Sequence, residues 1–493
     1  VIAHNLPALQ VVLPLIAAPL CLLLRGSNWP WAFATLVSWA AFAISVALLS
    51  QVLDSGTISY AMGGWAPPWG IEYRVDTVNA FVLLIVSAIG AVVLPYARVS
   101  VGHEIPAERH PAFFTALLLS LTGLLGVTIT GDAFNLFVFL EISSLSSYVL
   151  IALGRDRRAL TASLQYLIMG TIGATFIVIG IGLLYMVTGT LNMADLAARI
   201  PAAVDSRTLL AAFAFLTVGT TLKLALFPLH SWLPNAYAYA PSVVTGFLAA
   251  TATKVSVYIL LRFFFSVLGT EYTFERLTLE QLLIPLAAVA VLVCSTVAIY
   301  QNDVKRMLAY SSVAQIGYII LGIGFVSTTG LTAAIVHLFN HAVMKGGLFL
   351  ALGCVMLRVG SVRLDAFAGL GRRMPLTMFA FVLGGLSLIG VPLTVGFISK
   401  WYLVQAALEQ GAWILAIVIL VGSLLAVIYI WRVVEVAYLR PPPADAAPVS
   451  EAPLSMLIPT WILIGASIYF GIDTSLTVGI ARRAAETLLG VTP

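Results

Sequence analysis

Charge is what this sequence has least of. Of its 493 residues, 9% are Asp, Glu, Lys or Arg, while 61% are hydrophobic. A soluble domain carries about 25% charged residues. So few charges cannot cover a water-facing surface, and the chain reads as an integral membrane protein. Lipid forces each crossing segment to satisfy its own backbone hydrogen bonds, so the fold class is all-α. Cysteine is nearly absent: Cys21, Cys294 and Cys354 stand alone in apolar runs, which excludes a disulfide framework or a thiolate metal site. There is no Gly-rich loop ending in Gly-Lys and no G-x-G-x-x-G after a strand pattern, so no nucleotide or redox cofactor and no metal is expected. The net charge of +4 is spread thinly and offers no basic run for nucleic acid. No Lys or Arg precedes Arg25, which argues against a cleaved signal peptide.

What is present is a series of apolar runs, each near the ~20 residues that a bilayer requires. About fourteen transmembrane helices are expected, with breaks in spans seven (208–240) and twelve (376–402). The segment 63–76, rich in Gly, Pro and aromatics, is expected to form a turn or small hairpin at the membrane surface. The Pro-rich stretch 440–448 reads as a linker, and the tail 473–493 as an interfacial segment. Connections after odd-numbered spans carry fourteen basic residues and the other side seven. Because Lys and Arg concentrate on the cytoplasmic side, both termini are expected to face outward.

Lysine is scarcer than arginine, and its placement differs. The chain has five lysines, and four of them, Lys223, Lys254, Lys345 and Lys400, fall inside spans; the arginines are assigned to the connections. Arginine stays charged under nearly all conditions, whereas a desolvated lysine can release its proton. Glu141 is the one acid deep in a span. Ionised groups at the bilayer centre cost ~3 kcal/mol or more, so each should face the bundle interior. Ser144 and Ser147 follow Glu141 and can hold water or hydrogen bonds beside it. Asp132, at the head of the same span, suits a helix cap.

Span seven reads "TLKLALFPLHSWLP". Pro228 removes a backbone donor and breaks the helix, with Lys223 just before the break and His230 just after it. Pro392 interrupts span twelve ahead of Lys400. Thr253 flanks Lys254 in span eight. In span eleven, His337, His341 and Lys345 recur every four residues and share one helical face. Individually, a proline is often only a kink, a lone His a strut between helices, and a terminal Lys a snorkelling cation. Taken together, one acid, four lysines and two histidines require a shared hydrated interior. Pro228 and Pro392 also divide the chain into two five-helix units, spans 4–8 (111–264) and 9–13 (281–435), flanked by an N-terminal segment (1–110) and a C-terminal one (436–493). An odd number of spans per unit inverts the second relative to the first.

Glu141, "KLALFPLHSWLPNAYAYAPSVV", "QNDVKRMLAYSSVAQIGY", "HLFNHAVMKGG" and Lys400 resemble the antiporter-like subunits of respiratory complex I and Mrp cation/proton antiporters over nearly the whole chain. "GDAFNLFVFLEI", "GGWAPPWGIEYRVD" and Lys at position 400 are most similar to the D-subunit branch of the Mrp type. The resemblance implies a secondary transporter subunit rather than an enzyme, without cofactors, in a bacterial inner (cell) membrane. Its partners would be other membrane subunits of a hetero-oligomeric complex, H+ and, as the exchanged cation, Na+. It implies a coupling pair Glu141–Lys223, a central relay at Lys254, a link through His337, His341 and Lys345, and a terminal proton site at Lys400. Some relatives have a His in span ten; here a relay through that span would need Ser311, Ser312, Gln315 or water. The alternative is a membrane subunit of a complex I-like or membrane-bound hydrogenase redox complex. A structural subunit that has lost transport would lack part of this polar set, and a lipid-modifying enzyme would need a polar cluster at the interface that the sequence does not show.

Overall fold

The computed structural model describes residues 3–24, 26, 28–442 and 448–491. Arg25 and the middle of the expected Pro-rich linker, 443–447, lie outside the described residues. The first half holds α1 (Leu6–Leu23), α2 (Asn28–Ser55), α3 (Thr77–Glu104), α4 (His110–Ile129), α5 (Ala133–Ala152) and α6 (Arg158–Thr188). After the short α7 (Met193–Arg199) come α8 (Arg207–Lys223), α9 (Trp232–Tyr239) and α10 (Ser242–Leu261). The second half holds α11 (Glu280–Ile299), α12 (Val304–Gly324) and α13 (Thr328–Val359), then the single turn α14 (Leu370–Arg373). Next are α15 (Pro375–Ile389), α16 (Val395–Glu409), α17 (Trp413–Leu439), α18 (Leu454–Ile472) and α19 (Ser475–Leu489).

Among the described residues, twelve helices are long and apolar enough to cross a membrane. The molecule is therefore an all-α, multi-pass membrane fold. Spans seven and twelve are not continuous helices: the first is split into α8 and α9, the second into α15 and α16. The surface segment 63–76 closes a two-stranded antiparallel ribbon, β1 (Ile58–Ala61) with β2 (Glu72–Val75), in which Tyr60 faces Tyr73. The tail forms α19, which packs against α13 and α3. The three cysteines are buried and free.

The core is organised around α13, which touches α10, α12, α15, α16, α18 and α19. α10 and α12 are almost wholly enclosed by other helices, whereas α1, α6, α11 and α17 keep most of their surface outward. Helices with no outward face can hold polar groups away from lipid, and α10, which carries Lys254, is of this kind. α6 and α8 cross closely at two glycines. A Cβ on Gly219 would stand 2.8 Å from the Gly173 carbonyl oxygen, so the absence of side chains there sets how near α8 can lie.

One local arrangement occurs twice. Asp132 caps α5, accepting from Asn135 N at 2.7 Å, and forms an isolated bridge with Asn192, which opens α7. Asp303 caps α12, accepting from Arg306 N at 2.8 Å, and bridges Arg363, ahead of the short 3-10 turn Leu364–Phe367. The intervals are 192 − 132 = 60 and 363 − 303 = 60 residues. Burial pushes both cap carboxyls up, against the backbone N–H groups that favour the charged form.

Candidate proton-relay site

The site begins where α8 stops. Lys223 is its last residue, so the helix ends at the lysine itself, five residues ahead of Pro228. The exposed carbonyls are taken up locally: Leu226 N donates to Thr221 O at 3.0 Å, and Trp232 Nε1 to Leu222 O at 3.2 Å. Trp232 is fixed by stacking on Tyr166 of α6, with ring centroids 4.1 Å apart. Pro234 lies within the first turn of α9, where a missing N–H costs nothing.

Lys223, 5% exposed, turns its Nζ across to α5. It donates to Ser144 Oγ at 2.8 Å and lies 3.7 Å from Glu141 Oε1. That separation makes an ion pair but is too long for a hydrogen bond, and Glu141 Oε1 has no hydrogen-bond partner among the described residues. Ser147 does not reach this pair; it donates to Ser143 O at 2.6 Å and lies 3.2 Å from Ser120 Oγ. His230 is likewise outside the pair: its ring stacks on Phe227 at 5.2 Å and meets Tyr310 edge-on at 6.3 Å.

Lys254 is fully buried in α10. Its Nζ donates to Ala249 O of its own helix and lies 3.5 Å from Thr253 Oγ1. α10 packs directly on α13, the helix that carries His337, His341 and Lys345. On α13, the His337 and His341 rings lie nearly parallel with centroids 6.1 Å apart, as the four-residue spacing requires. Neither ring nitrogen of His341 has a hydrogen-bond partner among the described residues. His337 is held on both sides, with Nδ1 2.7 Å from Ser399 Oγ and Nε2 2.9 Å from Gln315 Oε1. Lys345 leaves the histidine row and reaches α12, donating to Leu308 O at 2.8 Å and to Ser311 Oγ. Ser311 and Gln315 thus stand beside Lys345 and His337 in the span that lacks a histidine.

The second break is built differently. α15 ends at Ile389 and is capped by Gly390 with φ +94°, and Pro392 lies in the turn before α16. The broken end leaves carbonyls without N–H partners. Lys400 takes two of them, donating to Leu388 O at 3.0 Å and Ile389 O at 2.8 Å, and a third bond goes to Ser423 Oγ of α17 at 2.9 Å. Its Nζ also sits 4.9 Å from the Tyr318 ring centroid, a cation–π contact. Lys400 is 6% exposed and does not snorkel.

Two assignments to the connections need correction. Lys305 is buried at the start of α12, where it donates to Ala240 O at 2.6 Å; all five lysines are therefore internal. Arg262, which follows α10 directly, is also inside: its guanidinium grips the Asp76 carboxylate at 2.8 Å and 3.0 Å. Burial pushes the Asp76 carboxyl up, but Arg262 and the N–H groups of Asn79 and Val78 outweigh it and hold the group below the usual carboxylate range. Sequence reasoning misplaced both residues because each stands at the rim of an apolar run. Ser399, Ser423 and Tyr318 were not singled out: Ser399 could have been found as the neighbour of Lys400, whereas nothing in the sequence marks Ser423.

Among the described residues no group of three or more His, Cys, Asp and Glu side chains is arranged to hold a metal ion. Residues 130–426 match the family described as "NADH:quinone oxidoreductase/Mrp antiporter, TM". The NADH-quinone oxidoreductase subunit N of Desulforudis audaxviator (strain MP104C) is 44% identical over 93% of this chain and 94% of that protein. The Na(+)/H(+) antiporter D-subunit of Bacillus subtilis (strain 168) is 29% identical over 99% of this chain and 97% of that protein. A chain in the structure of the Mrp complex from Dietzia sp. DQ12-45-1b superposes with a TM-score of 0.91 at 26% identity, covering 100% of this chain and 98% of that one. A matched family region across both helix breaks, full-length relatives and the buried ionisable set converge on a proton- or cation-translocating membrane subunit, not an enzyme, of an Mrp-like or complex I-like assembly; the chain belongs to the NADH:quinone oxidoreductase/Mrp antiporter family, which includes the D-subunits of Mrp-type antiporters and the antiporter-like subunits of complex I.

Proposed function

We propose that this chain carries protons along a buried axis from Glu141 and Lys223 through Lys254, His337 and His341 to Lys400, with Lys345 as a side station on α12. In this reading it is the proton-translocating subunit of a multisubunit Na+/H+ antiporter of a bacterial cell membrane. The observation that carries it is the solvation of the lysines. Lys254, Lys345 and Lys400 are buried with carbonyl and hydroxyl oxygens as their hydrogen-bond partners. Neutral dipoles of this kind accept an N–H from an ammonium or from an amine, so the same cage tolerates loss and return of a proton. A fixed carboxylate at each lysine would lock the charge in place. Among the described residues, Lys223 alone of the lysines has an acid partner, and the pair is loose enough to separate. Parting Glu141 from Lys223 would withdraw the attraction that retains the lysine's proton and send it toward Lys254.

The two 60-residue clasps support a pair of five-helix repeats, 111–264 and 281–435, inverted with respect to each other. Counting each broken pair as one crossing brings the total to fourteen, and the excess of basic residues after odd-numbered spans supports both termini outside. The test is proton-coupled cation exchange in vesicles containing the assembled complex. Lys223→Ala is expected to fall below a tenth of wild-type exchange; near-normal exchange would end this reading. A redox-driven complex is the second reading, favoured by the 44% identity with a protein named as a subunit of an NADH-quinone oxidoreductase. Iron–sulfur proteins co-purifying with the complex would select it.

A further inference from the structure

A groove of about 670 Å³ runs along the outside of the molecule between α2, α3, α13 and α18. Its walls are almost entirely apolar, from Phe339 and Phe470 at one end to Trp31, Arg98 and Ser455 at the other. Arg98 is its one ionisable group, exposed and held over the Trp31 ring with Cζ 5.1 Å from the centroid. Two prolines shape it. Pro95 has no N–H for Ala91 O, and Trp39 Nε1 fills that vacancy at 3.0 Å; Trp31 Nε1 bonds Leu94 O at 2.9 Å. The tryptophans thus clamp α2 to α3 at the kink. Pro459 lies inside α18 on the facing wall and likewise has no N–H for the carbonyl four residues before it.

Length and lining decide what fits. From Ser455 to Phe470 is fifteen residues, or roughly 22 Å at ~1.5 Å per residue. One leaflet of hydrocarbon is ~15 Å deep, so the groove takes a chain from the headgroup level past mid-membrane. An extended hydrocarbon chain matches that length and the apolar walls. A cation at one mouth calls for an anionic group on that chain.

We propose that this groove binds an anionic phospholipid, its phosphate on Arg98 and an acyl chain along α3 and α18 against Phe339 and Phe470. The site lies behind the second helix break. Phe339, Val343, Ala466 and Phe470 line the groove and also form, with Met344 and Val395, a small apolar cluster separate from the main core. Val395 is the first residue of α16, the half-helix that carries Lys400, and Asn340 Nδ2 bonds its carbonyl at 2.6 Å. An acyl chain here backs the break from the side opposite the histidine row.

The test uses the assembled complex, reconstituted in nanodiscs with equal phosphatidylglycerol and phosphatidylcholine, then extracted in mild detergent for native mass spectrometry. Wild type is expected to retain one phosphatidylglycerol that Arg98→Gln loses at least tenfold. Ala88→Phe, which fills the groove and leaves Arg98 in place, is expected to lose it too. A photo-crosslinker at Ala88 should capture lipid. Equal retention of both lipids, retention unchanged by both variants, or crosslinks to a protein subunit instead of lipid would each overturn the proposal. None of these readouts depends on transport, so they stand apart from the proton-relay reading.

Discussion

The two helix breaks use one device with opposite chemistry. At the first, α8 ends on Lys223, and the freed carbonyls are satisfied by backbone and by Trp232, so the lysine looks away to an acid on another helix. At the second, the freed carbonyls are left to Lys400, which is caged by the dipoles of its own broken span. The first lysine is therefore sensitive to any motion between α5 and α8, while the second is held by groups that carry no charge. A break can serve either as a hinge beside an ion pair or as a socket for an amine, depending on which group claims its carbonyls.

The largest effect should come from removing the charge that the second break lacks. Glu141→Gln leaves Lys223 buried without its counter-ion, and exchange in vesicles is expected to fall more than tenfold. The double variant with Lys223→Ala should be no worse than either single change, because the two act as one unit. Additive losses would mean that the residues work separately. Next is the turn geometry. Ala225 in the first break and Gly390 in the second both hold positive φ, 58° and 94°. Gly390→Ala forces a side chain into a conformation that L-residues resist, with its Cβ 3.0 Å from Lys400 Cδ. A loss of ~1–2 kcal/mol is expected, read as a lowered melting temperature in detergent, whereas Ala225→Gly should be neutral or slightly stabilising.

Ser423→Ala removes one of the three hydrogen bonds of Lys400 and is expected to cost ~1 kcal/mol, slowing exchange severalfold while the carbonyl cage persists. A complete loss would mean that the hydroxyl, not the broken helix, is the main partner. Smallest of all is Arg358→Ala at the exposed end of α13, where the guanidinium donates to Glu451 O at 3.0 Å; exchange should not change.

Much of this contrast was readable from the sequence. A lysine or proline in an apolar run is conspicuous because its cost in hydrocarbon leaves few places to put it, which exposed Lys223, Lys254, Lys345, Lys400 and both breaks. The identity of each lysine's partner was not. Glu141 stood out as the lone acid, but Ser423 and the carbonyls of Leu388 and Ile389 carry no signal, because a serine or a peptide group is ordinary in any span. Residues at span edges were misjudged for a related reason: hydropathy falls at Lys305 and Arg262 whether the side chain turns outward to water or inward to Ala240 O or Asp76. The ends of Lys345 and His337 were partly legible: Ser311 and Gln315 stood out as polar groups of the span without a histidine, but the shared face of α13 does not say which of its side chains they receive.

The bond from Lys305 to Ala240 O joins the far end of α9 to the near end of α12. α9 is only eight residues long and begins at the first break, so it behaves as a short lever whose tip is pinned to the next rod. Any tilt set off by the parting of Glu141 and Lys223 would be handed to α12 as a push at its base. α12 grips Lys345 at Leu308 and Ser311 and His337 at Gln315, so that push would arrive under both at once.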